Sequence, residues 1–172
     1  IAGNVGDSFA LQVANESHDF YVLELSSFQL DGIDNFKPHI AILLNITADH
    51  LDRYANKMEN YIQSKMRITM NQTSEDFLIY CSDDNNIIMN LKTQAQCLPF
   101  SIKENQEQGA CLNNDEIEIN INQESFNMNI QQLALQGKHN IYNSMAAAIS
   151  ARILDLNKDL IRESLVDFKN VE

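Results

Sequence analysis

HIAILLN, His39 to Asn45, is an apolar run that passes without a turn signal into ITADHLDRY, Ile46 to Tyr54, where a histidine stands among aspartates with an arginine just after. Three more runs read alike: DFYVLEL at Asp19 to Leu25, DFLIYC at Asp76 to Cys81, and the weaker CLPFSI at Cys97 to Ile102. Nearly continuous β-prone runs of this kind belong to strands covered on both faces of a parallel sheet. Helical patterns lie between them. DSFALQVAN puts Phe9, Ala10, Val13 and Ala14 on one face, with Asp7 or Ser8 as cap, and predicts a first helix of about ten residues. Lys57 to Asn71 predicts a longer helix, and DDNNIIMNLKTQ a short one. Strands alternating with helices predict an α/β fold with a doubly wound, mostly parallel sheet.

After Ile102 the period changes. EIEININ and SFNMNI alternate apolar with polar residues, which predicts a small antiparallel β meander over about 103–136 with one wet face. KHNIYNSMAAAISARILD then reads as one long helix and DLIRESLVDF as another. Neither an internal repeat nor a long linker divides the chain, so residues 1–172 are expected to form one domain.

The 172 residues are 44% apolar, enough for a real core, and carry 24 acidic against 12 basic side chains for a net charge of −12. A phosphate-backbone binder with that charge would work against long-range repulsion, so nucleic acid and anionic membrane are not expected as partners. Apolar runs such as IAILL are too short to span a bilayer, and no basic-then-apolar leader opens the sequence. A soluble, cytoplasmic protein is expected. Cys81, Cys97 and Cys111 are odd in number and lack metal-site spacing, which predicts reduced thiols. The opening Ile1-Ala2-Gly3, without methionine, suggests an excised piece.

In open α/β sheets ligands bind beyond the carboxyl ends of the strands, so the residues that terminate strands are the ones to inspect. DFYVLEL carries Glu24 and runs into Ser26-Ser27; a carboxylate inside such a run has a salt bridge, a cation or solvent to meet. HIAILLN delivers Asn45, Thr47, Asp49 and His50 to the same rim, where the imidazole has either a structural role or one in metal binding or proton transfer. On the helix that follows, Asn60, Gln63, Ser64, Arg67 and Asn71 form a polar face. Lys65 falls instead on the apolar side with Tyr61 and Ile68. Two readings fit it: a stem that snorkels to water, or a desolvated amine able to react with carbon dioxide or hold an anion. Asn140 and Asn143 begin the long helix on neighbouring positions. They suit either helix capping or the donor and acceptor edge of adenine.

Five segments, GNVG (Gly3 to Gly6), YVLELSSFQL (Tyr21 to Leu30), NITADHLDRY, the lysine of SKMRI and GKHNIYN (Gly137 to Asn143), together resemble the Mur ligase family in order and spacing. The resemblance covers essentially the whole chain as that family's central ATPase domain, and ELSSFQL points to the branch that adds D-glutamate to UDP-N-acetylmuramoyl-L-alanine. It implies an ATP-dependent ligase of peptidoglycan synthesis that works through an acyl phosphate. It also implies that Glu24 binds the magnesium bridging the ATP phosphates, and that His50 and Lys65 serve a second Mg2+, with Lys65 as a carbamate. Asn4 and Ser26 would lie towards the muramoyl substrate, Asn140 and Asn143 towards adenine, and Asp49, Asp52 and Arg53 in support.

The family's phosphate loop, G-T-N-G-K-[ST]-T, does not occur in this sequence, nor do the flanking domains that grip the UDP moiety and D-glutamate. The chain by itself is therefore expected to lack ligase activity and to bind ATP weakly; isothermal titration giving micromolar affinity would contradict this. An uncovered sheet is expected to favour self-association, against which light scattering of a strict monomer would count. Two other readings share these features: another Mur-type or folylpolyglutamate-type ligase, and a non-catalytic nucleotide- or metal-binding module.

Overall fold

The computed structural model describes residues 1–4, 6 and 8–168. Asp7, one of the two proposed caps, and Val5 of the GNVG motif lie outside them. The N-terminal part holds β1 (Ala2–Gly3), α1 (Phe9–Asn15), β2 (Leu23–Glu24) and α2 (Ser27–Asp31). β1 and β2 pair in parallel as a two-stranded ribbon of their own. This corrects the expectation that DFYVLEL is a buried strand: only Leu23 and Glu24 pair, while Phe20 is 67% and Val22 66% exposed. The β propensity of the run is real, but its cover is slight: Tyr21 meets the Phe9 ring edge-on at 5.3 Å, while Phe20 and Val22 are left exposed. α1 is likewise shorter than expected, at seven residues, and buries none of them; Ser8 is at its N-cap without a side-chain hydrogen bond.

The remaining strands are β3 (Ile40–Leu43), β4 (Phe77–Cys81), β5 (Gln96–Ser101), β6 (Gly109–Asn113), β7 (Glu116–Ile121) and β8 (Glu124–Asn129), with helices α3 (Met58–Met66), α4 (Asn85–Ile88), α5 (Lys138–Ile153) and α6 (Lys158–Val166). The strands form one six-stranded sheet in chain order, parallel from β3 to β6 and antiparallel from β6 to β8. Leu78 and Ile79 are consecutive in β4 and point to opposite faces, yet both are fully buried, so the sheet is covered on both sides there. The antiparallel meander is present as expected and joins the main sheet. It continues the main sheet through the parallel pairing of Phe100 and Ser101 with Ala110 and Cys111. Gly109 makes that join possible: its φ is +104°, and a Cβ there would overlap the carbonyl oxygen of Pro99.

In β7, Ile117, Ile119 and Ile121 turn inward while Glu116, Glu118 and Asn120 face the other way, as the alternation predicts. α5 packs across β4, β5, β6 and β7 with Met145, Ala146, Ala148 and Ile149. Its small alanines allow close approach to the sheet. The three cysteines are unpaired and fall on β4, β5 and β6.

The predicted helix from Lys57 to Asn71 ends as an α-helix at Met66 and tightens to a 3₁₀ turn over Arg67–Thr69. Much of its polar face turns inward. Ser64, only 3% exposed, donates to the Ser27 carbonyl at 2.8 Å. Arg67 reaches the carbonyls of Leu30 and Ile33 at 2.8 and 2.7 Å, and Asn71 those of Asp34 and Phe36 at 2.6 and 2.9 Å. A short helix leaves its last carbonyls without intrahelical donors. Ser64 of α3 and Arg67 just after it donate to carbonyls of α2, and Arg67 and Asn71 to those of the loop beyond, which fixes α2 against α3.

At the amino end of the sheet, Asp76 is buried and accepts from the Thr73 amide and hydroxyl at 2.8 and 3.0 Å, from Lys37 at 3.0 Å and from His39 at 3.3 Å. Burial pushes its pKa up, but these donors outweigh burial and bring it down to about 2. Ionised Asp76 therefore stabilises the fold fully above the ordinary carboxylate range, and this contribution fades as pH falls through about 2. Asp76→Ala is expected to cost about 2 kcal/mol near neutral pH, the scale of lost hydrogen bonds to a charged group. Urea denaturation should show the two midpoints converging as pH is lowered; a gap that is constant down to acid pH would contradict the assignment.

Candidate active site

Glu24 and Asn4 meet in the small parallel ribbon. The Asn4 amide donates to the Glu24 carbonyl at 2.8 Å, and Gly3, with φ +119°, brings the two backbones so close that a Cβ would overlap that carbonyl. The Glu24 side chain is exposed and, among the described residues, makes no ion pair, so the carboxylate stands open beyond the end of its strand. Ser26 forms a capping box on α2: its amide donates to Gln29 Oε1 at 2.9 Å, and its hydroxyl accepts from the Gln29 amide. The box turns the chain sharply after Glu24 and places Phe28 where the next loop passes.

A chain of rings then links this corner to the other two expected residues. Phe28 lies 5.8 Å from the His50 ring and 5.8 Å from Tyr54, stacked on the latter, with the Arg53 guanidinium 4.5 Å over its face. Tyr54 meets Tyr61 edge-on at 5.4 Å, and the Lys65 Nζ sits 5.6 Å over the Tyr61 ring. Lys65 is half-buried, in keeping with its place on the apolar side of α3. His50 itself adopts left-handed backbone, φ 48° and ψ 32°, rare for a residue with a side chain. Its Nε2 lies 3.5 Å from Asp49, and both side chains are more than half exposed. Burial, the charge of Asp49 and Tyr54 together raise the Tyr61 phenol above its ordinary pKa.

Asn140 and Asn143 lie in the first turns of α5. Gly137, not Asn140, holds the N-cap position, and the Asn140 side-chain Nδ2 donates back to the Gln136 carbonyl at 2.9 Å; Asn143 is exposed. Capping by Asn140 is thereby set aside. No hydrogen bond, ion pair or ring contact among the described residues joins either asparagine to the Phe28–Lys65 group. Between the two lies a polar junction that reading along the chain missed. Asp83, just past β4, accepts from Ser101 Oγ at 2.7 Å, the Ile102 amide at 2.9 Å and Tyr142 Oη at 2.7 Å. Asp84 accepts from the Ile46 amide at 2.6 Å and caps α4. The signal was present: SDD closes DFLIYC at a strand's carboxyl end, the very place where the other runs were inspected.

The family model of the Mur ligase middle domain matches residues 5–151. The chain belongs to the Mur ligase middle-domain family. Over its whole length it is 55% identical to the UDP-N-acetylmuramoylalanine--D-glutamate ligase of Christiangramia forsetii, of which it spans 39%. Two solved Mur-type structures share the fold. A pseudomurein peptide ligase type C from Methanothermus fervidus matches with a TM-score of 0.62 and 19% identity, over 87% of this chain and 39% of that one. The MurF ligase from Thermotoga maritima, in complex with ADP, matches with 0.56 and 19%, over 78% and 31%.

The donor set of this Mur ligase domain bears on metal binding. Among the described residues, no group of three or more His, Cys, Asp or Glu is gathered to hold a metal ion. Magnesium takes oxygen ligands, keeps several waters and leans on substrate phosphates, so the one exposed carboxylate of Glu24 suits it only as part of a site shared with a nucleotide. An ammonium at Lys65 repels a cation. A carbamate there would add the missing anionic oxygens.

Proposed function

We propose that this domain is the central, ATP-handling part of a ligase that joins D-glutamate to UDP-N-acetylmuramoyl-L-alanine in peptidoglycan synthesis, and that residues 1–172 all belong to it. The observation that carries the reading is the match along the entire chain to a ligase of that name. In the reaction, the substrate carboxylate takes the γ-phosphoryl group of ATP and ADP leaves; the amine of D-glutamate attacks the acyl phosphate, phosphate departs and the amide bond forms. Two magnesium ions, when bound, neutralise charge on the phosphoryl group in transfer. Glu24, His50 and carbamylated Lys65 are the residues that would hold them, and the ring chain from Phe28 to Tyr61 keeps the latter two in a fixed relation. Lys65 lies against an aromatic face rather than in bulk water, a setting in which the reacted, anionic form must be balanced by cations.

Asn140 and Asn143 serve the adenine, and Asn4 and Ser26 the muramoyl side, with Ser26 also shaping the turn through its capping box. Asp49 and Arg53 support His50. Among the described residues no helix is long and apolar enough to cross a membrane, and we place the enzyme in the cytoplasm with neither nucleic acid nor membrane as partner. The free edge of β3, with Ile42 and Leu44 both 39% exposed, supports self-association of the isolated domain.

The test is a full-length protein carrying this domain, assayed for ADP release with UDP-N-acetylmuramoyl-L-alanine and single amino acids. Turnover with D-glutamate alone is expected. Preference for another amino acid would move the domain to a sister ligase, and no ATP turnover with any acceptor would favour a binding module.

A further inference from the structure

Two consecutive carboxylates beyond β4 reach in different directions. Asp84 Oδ2 accepts the Ile46 amide at 2.6 Å while the side-chain amide of Asn86 donates to the Ile46 carbonyl at 2.8 Å. Both backbone groups of one residue are thus held at the root of the loop that carries Thr47, Asp49 and His50. Ile46 is 1% exposed, so without these partners its polar groups would be stranded in the core. Asp83 turns the other way and takes the Tyr142 hydroxyl, one residue before Asn143 and two after Asn140. The Tyr142 ring rests 6.0 Å from that of Phe100, so its hydroxyl is aimed by packing as well as by the bond.

We infer that the Asp83-Asp84 pair is a positioning junction, through which β4 sets the His50 loop and the first turns of α5 in one frame, so that nucleotide and phosphoryl ends of a ligand are held in register. Neither aspartate touches the reacting groups; Asp83 acts through Tyr142, and Asp84 through Ile46. The inference rests on the reading of α5 as the adenine side. Supporting charge balance comes from the same bonds: burial alone would raise the Asp83 pKa, but the donors Tyr142, Ser101 and Ile102 keep it below its ordinary value, while burial and Asp83 push the Tyr142 phenol well above its own.

The experiment is steady-state kinetics of a full-length ligase carrying this domain. Tyr142→Phe removes one hydroxyl and leaves the ring in place. It is expected to raise KM for ATP three- to tenfold, with kcat and KM for D-glutamate changed less than twofold. Asp84→Asn, which keeps one acceptor oxygen where the Ile46 and Asn86 amides use two, is expected to lower kcat at least tenfold and to raise the magnesium concentration for half-maximal rate, with KM for ATP changed less than twofold. If that variant does not fold, Asn86→Ala reads the same arm through the Ile46 carbonyl. Asp84→Glu should restore part of the rate. An unchanged KM for ATP in Tyr142→Phe, or equal losses in all parameters for both variants, overturns the junction. Asn143→Ala, run in parallel, reports on the adenine reading by itself: an unchanged KM for ATP there removes that reading, whereas the junction stands or falls on Tyr142→Phe.

Discussion

Lys65→Ala lowers the turnover of a full-length ligase carrying this domain by about 100-fold or more, since loss of even an outer partner of a metal ligand costs 10- to 100-fold. The melting temperature should hardly move, because Lys65 is only half-buried and its Nζ makes a loose contact, 5.6 Å over the Tyr61 ring. Removing bicarbonate and dissolved carbon dioxide is expected to slow the parent enzyme and leave the variant as it was, and added magnesium should not rescue the variant. This pattern separates a carbamate from a lysine that merely snorkels. Wild-type turnover in Lys65→Ala would take the residue out of the mechanism, and a parent enzyme indifferent to carbon dioxide would take out the carbamate.

Phe100→Ala is the most damaging single change expected for stability. Phe100 is fully buried in the central strand β5 and packs near Tyr142 of α5. Deleting such a ring costs about 3–5 kcal/mol, a large share of the roughly 5–15 kcal/mol that holds a domain together. Urea denaturation of the isolated chain measures it. Phe100→Leu, which keeps most of the volume, should cost about 1 kcal/mol. A loss below about 1 kcal/mol for the alanine variant would mean that the ring does not anchor α5 to the sheet.

Much of the fold was legible because periodicity reports burial directly. DFLIYC and CLPFSI became β4 and β5, the alternation of EIEININ became β7 with its three isoleucines inward, and KHNIYNSMAAAISARI became α5. DFYVLEL misled because its composition is the same as that of a core strand, whereas pairing and coverage depend on what lies beside it. The polar face of the helix predicted over Lys57 to Asn71 misled in the opposite way. Ser64, Arg67 and Asn71 are polar for the sake of backbone carbonyls 34 to 37 residues away, not for water.

The candidate site divides along the same line. Chemistry-bearing residues at strand ends and a lysine on an apolar helix face can be found along the chain, because local spacing determines which residue types reach the rim. What ties them together cannot. Phe28, Tyr54, Asp83 and Asp84 carry no signal of this role along the chain, since folding sets them between segments tens of residues apart. The sequence by itself determined most of the strands and helices and the stock of reactive side chains, since these follow from local propensity and hydrophobic period. Only the tertiary structure decided which of those side chains share a frame, because ring stacking and buried hydrogen bonds require partners that the chain brings together through three-dimensional packing.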